Sequence, residues 1–337
     1  MSKIKVLVVD DSAFMRKALS NLLTTRDIEV VETARDGKDA LKKVENLAPD
    51  VVTMDIAMPG MDGLEVLKRI MLEHPTPVLM LSAMGKREAD LVVRSLELGA
   101  LDFISKPSGP ISLDIEGIRN ELISKVKMAI KATTQPIKGR YKSPKVKGRG
   151  EVVAIASSAG GPAALTEILP KLPDDLNAVV LVAQHMPPLF TNSLAERLAS
   201  KSRIEVREAR DEDSLEKGTA LIGAGGQHLT INSDGRIKLV DRANLHDASP
   251  SADLLMRSIA NMYGKKALGV VLTGMGHDGA AGTIAIKERG GSAIAQDEAT
   301  SMIFSMPKSA IETGCIDEVV PLPYIAKAIV RYCNGDG

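Results

Sequence analysis

Asp10 and Asp11 follow the apolar run KVLVV, Asp55 follows DVVTM, Ser82 ends PVLMLS and Lys106 follows LDFIS. In an open parallel α/β sheet, ligands bind outside the carboxyl ends of the strands, so residues that end successive apolar runs converge on one crevice. Two adjacent carboxylates with a third beside them make an all-oxygen pocket that suits Mg²⁺, which takes one or two carboxylates and keeps room for water and a phosphoryl group. With that negative charge offset, Asp55 is placed to attack phosphorus and form an aspartyl phosphate. Lys106 brings a point positive charge for the phosphoryl oxygens, and Ser82 a hydroxyl donor. Each aspartate alone reads as well as a strand-end turn or a helix cap. The conjunction with Ser82 and Lys106 is what points to phosphate.

The second half of the chain repeats the device with different residue types. Ser158 follows the run VVAIAS and precedes Ala-Gly-Gly-Pro, His185 follows AVVLVAQ, and Asp278 lies in Leu-Thr-Gly-Met-Gly-His-Asp-Gly after another apolar run. These are the residue types of a nucleophile, a base and an orienting acid. Glycines after the serine let backbone approach a substrate, Pro162 fits the first turn of a helix, and the amides there suit a developing oxyanion. This is not the Gly-x-Ser-x-Gly elbow, because position 156 is alanine. Spacing alone leaves Ser157 as a rival to Ser158 and His277 as a rival to His185. A phosphate-binding or purely structural turn would read the same way.

The elements that must position these residues are legible as alternating patterns. From residue 4 to about 130, the runs KVLVVD, EVVET, DVVTMD, PVLMLS and DFISKP alternate with helical patterns such as FMRKALSNLL, DALKKVENL and GLEVLKRIM, with Pro107 ending the fifth run. That predicts a five-stranded parallel, doubly wound, flavodoxin-like domain over residues 1–130. Residues 131–150 hold seven Lys or Arg, no acid, two Pro and three Gly, the composition of a solvated basic linker. From 151 to 337 a second series (VVAIAS, AVVLVAQ, IEVREA, TALIGAG, ALGVVLTG, SAIAQD, DEVVPL) predicts another α/β domain with a mostly parallel sheet. LTINSDGRIKLV adds an antiparallel edge hairpin, with Asp234-Gly235 at its turn.

Composition excludes several classes. Basic and acidic residues balance at 43 each, so no net field points to nucleic acid or an anionic membrane. With no Trp and 2% aromatic residues, base-stacking surfaces are nearly absent and the cores are aliphatic. Two cysteines make no disulfide framework and fit a reduced, cytoplasmic setting. No stretch approaches the roughly 18 apolar residues that a membrane span requires.

The motifs VLVVDDS, VVTMDIAMPGMDG, LMLSAM and DFISKP resemble the receiver domain of response regulators over about residues 3–125. That resemblance implies Mg²⁺ at Asp10, Asp11, Asp55 and the Ala57 carbonyl, phosphorylation on Asp55, and signalling through Ser82, Lys106 and the aromatic Phe103. IASSAGGP, VAQHMPPLFTNSLAERL, LTGMGHDGAAG and QDEATSMIFSMPKSAIETG are similar to the catalytic domain of the chemotaxis protein-glutamate methylesterases, from about 151 to the end. The resemblance implies Ser158 as nucleophile, His185 as base and Asp278 as orienting acid, with oxyanion or supporting roles at Ala159 and Met275. Two positions depart from the family pattern: Ala156 stands where glycine is usual, and Ala159 where threonine is usual. A hydroxyl is therefore missing beside the nucleophile, and a slower reaction or a substitute group is expected.

Together the two resemblances imply a phosphorylation-regulated serine hydrolase. Its substrates would be glutamate γ-methyl esters and selected glutamines of chemoreceptors, and its phosphodonor a chemotaxis histidine kinase. It would act in the cytoplasm as a monomer, with Mg²⁺ in the receiver and no cofactor for the esterase chemistry. The competing reading is a response regulator whose second domain binds a nucleotide or a protein and catalyses nothing.

Overall fold

The computed structural model describes residues 3–106, 115–132, 150–241 and 249–334. Pro107 and residues 133–149 of the expected linker lie outside the described residues. The chain divides into two compact units, Met1–Gln135 and Pro136–Gly337.

The first unit alternates strand and helix throughout: β1 (Ile4–Val9), α1 (Ala13–Leu23), β2 (Ile28–Ala34), α2 (Gly37–Leu47), β3 (Val51–Asp55), α3 (Gly63–Glu73), β4 (Val78–Ser82), α4 (Lys86–Glu97), β5 (Asp102–Ser105) and α5 (Arg119–Ala129). Its strands pair in the order β2-β1-β3-β4-β5, all parallel. Helices cover both faces of such a sheet, so its central strands have no wet side, and β3 and β4 are buried at every position. Ser12, Asp36 and Asp62 each cap the following helix by accepting the N–H three residues on. Strand order reverses at β1, with β2 on one side and β3 on the other. The crevice at that switch point is where Asp10 and Asp55 emerge.

The second unit contains β6 (Val152–Ser157), α6 (Gly161–Ile168), β7 (Val179–Gln184), α7 (Phe190–Ala199), β8 (Glu205–Glu208), β9 (Thr219–Ile222), β10 (Gln227–Ile231), β11 (Ile237–Asp241), α8 (Ala252–Tyr263), β12 (Ala267–Val271), α9 (Ala280–Glu288), β13 (Ser292–Gln296), α10 (Ser305–Glu312), β14 (Glu318–Val320) and α11 (Leu322–Asn334). Seven strands form one sheet in the order β14-β13-β12-β6-β7-β9-β8, and every pair is parallel. The expected hairpin forms as β10 and β11, a two-stranded antiparallel sheet of its own. Its turn is held by Asn232, whose side-chain oxygen accepts the N–H of Asp234 and of Arg236, while Gly235 takes φ +76°.

The core of this unit is aliphatic, with Val152, Leu181, Leu221, Met256, Val271 and Ile286 fully buried. The main aromatic exceptions are Phe190 and Tyr332; the Tyr332 hydroxyl keeps a partner by donating to the Ala267 carbonyl at 2.9 Å. Here the order reverses at β6, flanked by β7 and β12, so the carboxyl ends of those three strands frame one crevice. Among the described residues, no helix is long and apolar enough to cross a membrane.

Candidate active site and phospho-acceptor pocket

At the first switch point the expected residues meet. Asp10 and Asp55 are buried while Asp11 is exposed, and one carboxylate oxygen from each lies within 4.8 Å of the others. Lys106 Nζ sits between the two buried acids, 2.8 Å from Asp10 Oδ2 and 3.0 Å from Asp55 Oδ1. The Arg16 guanidinium donates to the carbonyls of Asp10 and Asp11 at 2.8 and 2.9 Å and fixes the loop that carries them. Burial pushes the Asp55 carboxyl above its ordinary value; the Lys106 charge pulls against this, and the Asp10 charge adds to it. Burial alone would lower the Lys106 ammonium, but Asp55 and Asp10 outweigh it and hold the amine protonated.

Ser82 closes β4 beside this pocket and is fully buried, yet its hydroxyl donates to its own neighbour, the Ala83 carbonyl, at 3.1 Å. Among the described residues the Ser82 hydroxyl makes no hydrogen bond to Asp55. Phe103 is buried on β5, with Lys125 Nζ 5.6 Å from the ring centroid. Lys125 also donates to the Phe103 carbonyl and pairs with Asp102 and Glu121 at 3.0 and 2.9 Å. The sequence gives no signal for that cluster, since an isolated lysine on a helical pattern reads as solvated.

The second switch point brings the other constellation together. Ser157 pairs with Gln184 across β6 and β7, so Ser158 and His185 are the next residues on adjacent strands. The pairing is locked by main-chain bonds from His185 N to the Ser157 carbonyl (3.0 Å) and from Ser158 N to the Thr273 carbonyl (3.1 Å). His185 Nε2 lies 2.7 Å from Asp278 Oδ2. A proton on Nε2 is thereby committed to the carboxylate, and Nδ1 remains as the basic nitrogen. Asp278 also accepts the N–H of Ala252 at 2.7 Å, the N–H of Asp253 at 2.8 Å and the Ser251 hydroxyl at 3.1 Å. Burial pushes its carboxyl up, but the His185 hydrogen bond and charge, with the two amides opening α8, more than offset this and hold it below the ordinary carboxylate value.

The rivals separate on geometry. The Ser157 hydroxyl is fully buried and donates to Gln184 Oε1 at 2.7 Å, and His277 is exposed to solvent; His185 is the histidine that meets Asp278. Among the described residues the Ser158 hydroxyl makes no hydrogen bond, and the Ala159 and Gly160 N–H groups at the start of α6 donate to no protein acceptor. A nucleophile with free amides beside it can attack a carbonyl and stabilise the oxyanion that forms. Met275 is half-buried in the loop after β12. Ala156 is buried on β6, and no hydroxyl stands at Ala159. The Thr273 hydroxyl instead donates to the Ala159 carbonyl at 3.0 Å, supporting the turn from the loop after β12.

Gln184 is a further residue of the site, one that the sequence does not single out. Its amide nitrogen donates to the carbonyls of Ser158 (3.0 Å) and His185 (3.1 Å), so one buried side chain clamps both strand ends. The available signal was a polar residue closing an otherwise apolar run. Gly161 makes room for it, because a Cβ there would stand 2.0 Å from Gln184 Oε1.

Known proteins show the same organisation. Residues 153–329 match the CheB methylesterase family, and residues 6–115 match the response regulator receiver domain. A protein-glutamate methylesterase/protein-glutamine glutaminase of Pyrococcus horikoshii is 46% identical over 343 residues, covering 98% of this chain and 93% of that protein. One from Halalkalibacterium halodurans is 45% identical over 343 residues, covering 99% of each. The crystal structure of the Thermotoga maritima CheB methylesterase catalytic domain superposes with a TM-score of 0.52 at 39% identity, over 54% of this chain and 98% of that one. The chain therefore belongs to the CheB methylesterase family, with a response regulator receiver domain ahead of its esterase domain.

Proposed function

We propose that this chain is a phosphorylation-regulated methylesterase and glutaminase of chemoreceptors, with a receiver over 1–130 joined through 131–150 to an esterase over 151–337. The observation that carries the esterase reading is the 2.7 Å contact of His185 with Asp278, made where His185 stands in register beside Ser158. Ser158 Oγ attacks the γ-carbonyl carbon of a glutamate methyl ester as His185 Nδ1 takes its proton. The oxyanion meets the amides at the start of α6. Collapse breaks the bond to the methoxy oxygen, which leaves as methanol with the proton from His185. Water, deprotonated by the same nitrogen, then hydrolyses the acyl-enzyme to release glutamate and restore Ser158. A glutamine side chain follows the same course and releases ammonia. Asp278 holds the imidazole in one tautomer and stabilises its charged form.

In the receiver, Asp55 accepts a phosphoryl group from a histidine kinase, and Lys106 meets the phosphoryl oxygens. The donor set of Asp10, Asp11 and Asp55 fits Mg²⁺, two acids being buried and one open to water. Bound there, the ion would offset the carboxylate charge that otherwise repels phosphate. The phosphoryl group carries about 1.5 to 2 negative charges and replaces the single charge of the Asp55 carboxylate. A coupling of about 1 to 3 kcal/mol between the two sites changes esterase output roughly 5-fold to 150-fold.

The test is methanol release from a methylated chemoreceptor by the full chain. Turnover is expected; receptor binding without methanol release would favour a non-catalytic output domain instead. Gly161→Ala is expected to displace Gln184 and loosen both strand ends, lowering kcat by about 10-fold to 100-fold. Kinetics of the purified variant at a temperature where it is fully folded check this.

A further inference from the structure

Two carboxylates stand behind His185, and each serves the other's helix. Asp278, just before α9, accepts the N–H groups of Ala252 and Asp253, which open α8. Asp253, in that opening turn, returns the exchange: its Oδ1 accepts the N–H of Gly279 at 2.8 Å and of Gly282 at 2.6 Å, which open α9. Helix α9 has no side-chain cap of its own, because Gly279 occupies the N-cap position. Asp253 supplies that cap from a neighbouring helix. The close approach requires glycine at 282, where a Cβ would stand 2.6 Å from the Met256 Cβ.

This exchange acts on the reacting pair through one peptide. The Gly279 N–H belongs to the peptide plane that begins at the Asp278 carbonyl, so holding it sets the rotation of the Asp278 main chain. That rotation decides the direction from which the carboxylate meets His185 Nε2. The arrangement has an electrostatic cost: burial pushes the Asp253 carboxyl up, the Gly282 N–H opposes this, and the neighbouring Asp278 charge adds to it.

We infer that Asp253 is a positioning residue for the His185–Asp278 pair, holding Asp278 in line with the imidazole through the Gly279 N–H. The inference rests on the esterase reading above. Both accepted bonds go to a single oxygen, so asparagine can keep them and alanine cannot.

The full chain, Asp253→Ala and Asp253→Asn are compared in three readouts. These are kcat and KM for methanol release from methylated receptor, the rate at which a fluorophosphonate labels Ser158, and the melting temperature. Asp253→Ala is expected to lower kcat and the labelling rate together by about 10-fold to 100-fold, with KM within about twofold. Asp253→Asn is expected to recover both to within about threefold of wild type. If alanine prevents folding, Asp253→Glu, whose longer side chain carries the oxygen past both N–H groups, is expected to show the same loss of kcat. The inference is overturned if Asp253→Ala melts lower yet reacts like wild type while folded, or if Asp253→Asn is as impaired as alanine. Wild-type protein whose Ser158 is not labelled would instead overturn the esterase reading.

Discussion

Replacing Ser158 by alanine is expected to lower methanol release from methylated receptor by about 10⁵-fold to 10⁶-fold, the loss seen when a serine nucleophile is removed from a hydrolase. The structure explains why the effect should be chemical and not conformational. The Ser158 hydroxyl makes no hydrogen bond among the described residues, and the bonds that place residue 158 come from its main chain: N–H to the Thr273 carbonyl, and carbonyl to Gln184 and Gly161. Alanine keeps all of these. The variant should therefore melt like wild type and bind receptor with unchanged affinity while releasing no methanol above background. Retained turnover would move the nucleophile elsewhere.

Asp278→Asn is expected to cost about 10⁴-fold in kcat, the effect of the same change in a serine protease triad. The cause is stereochemical. Asp278 Oδ2 faces His185 Nε2 and the Ala252 N–H, and Oδ1 faces the Asp253 N–H and the Ser251 hydroxyl. An amide has one acceptor oxygen and one NH₂, so either orientation sets NH₂ against a backbone N–H. One of the two also forces the imidazole into the wrong tautomer. Stability should fall as well, with a defined pH dependence. In the folded chain the Asp278 carboxyl is held below its ordinary value of 3.8, so its contribution is complete above that value and is lost as pH falls through the folded one. Chemical denaturation should show the widest gap between wild type and variant near neutral pH, closing in acid.

The residues legible in the sequence are those whose position follows from one local pattern. A run of β-branched residues ending in a polar one marks the carboxyl end of a parallel strand, and Asp10, Asp55, Lys106, Ser158 and His185 all stand at such ends or one residue past them. Asp278 lies further out, in the loop after β12. What stayed hidden depends on contacts between distant segments. Asp253 faces Gly279 only because α8 and α9 pack closely, and Gln184 reaches Ser158 from 26 positions away. The direction of a hydroxyl is equally invisible: Ser82 lies where a phosphate donor should be, yet turns to the Ala83 carbonyl. The pairing of β10 and β11 was readable from the Asp-Gly turn, but not their separation from the main sheet, which depends on what the hairpin packs against.

If the receiver regulates the esterase, Asp55 controls Ser158. The most direct measurement is the initial rate of methanol release from methylated receptor by the full chain, with and without a small-molecule phosphodonor and Mg²⁺, for wild type and for Asp55→Ala. The phosphodonor is expected to raise the wild-type rate about 5-fold to 150-fold and to leave the Asp55→Ala rate at its unstimulated level. Equal rates for both proteins under both conditions would contradict that control.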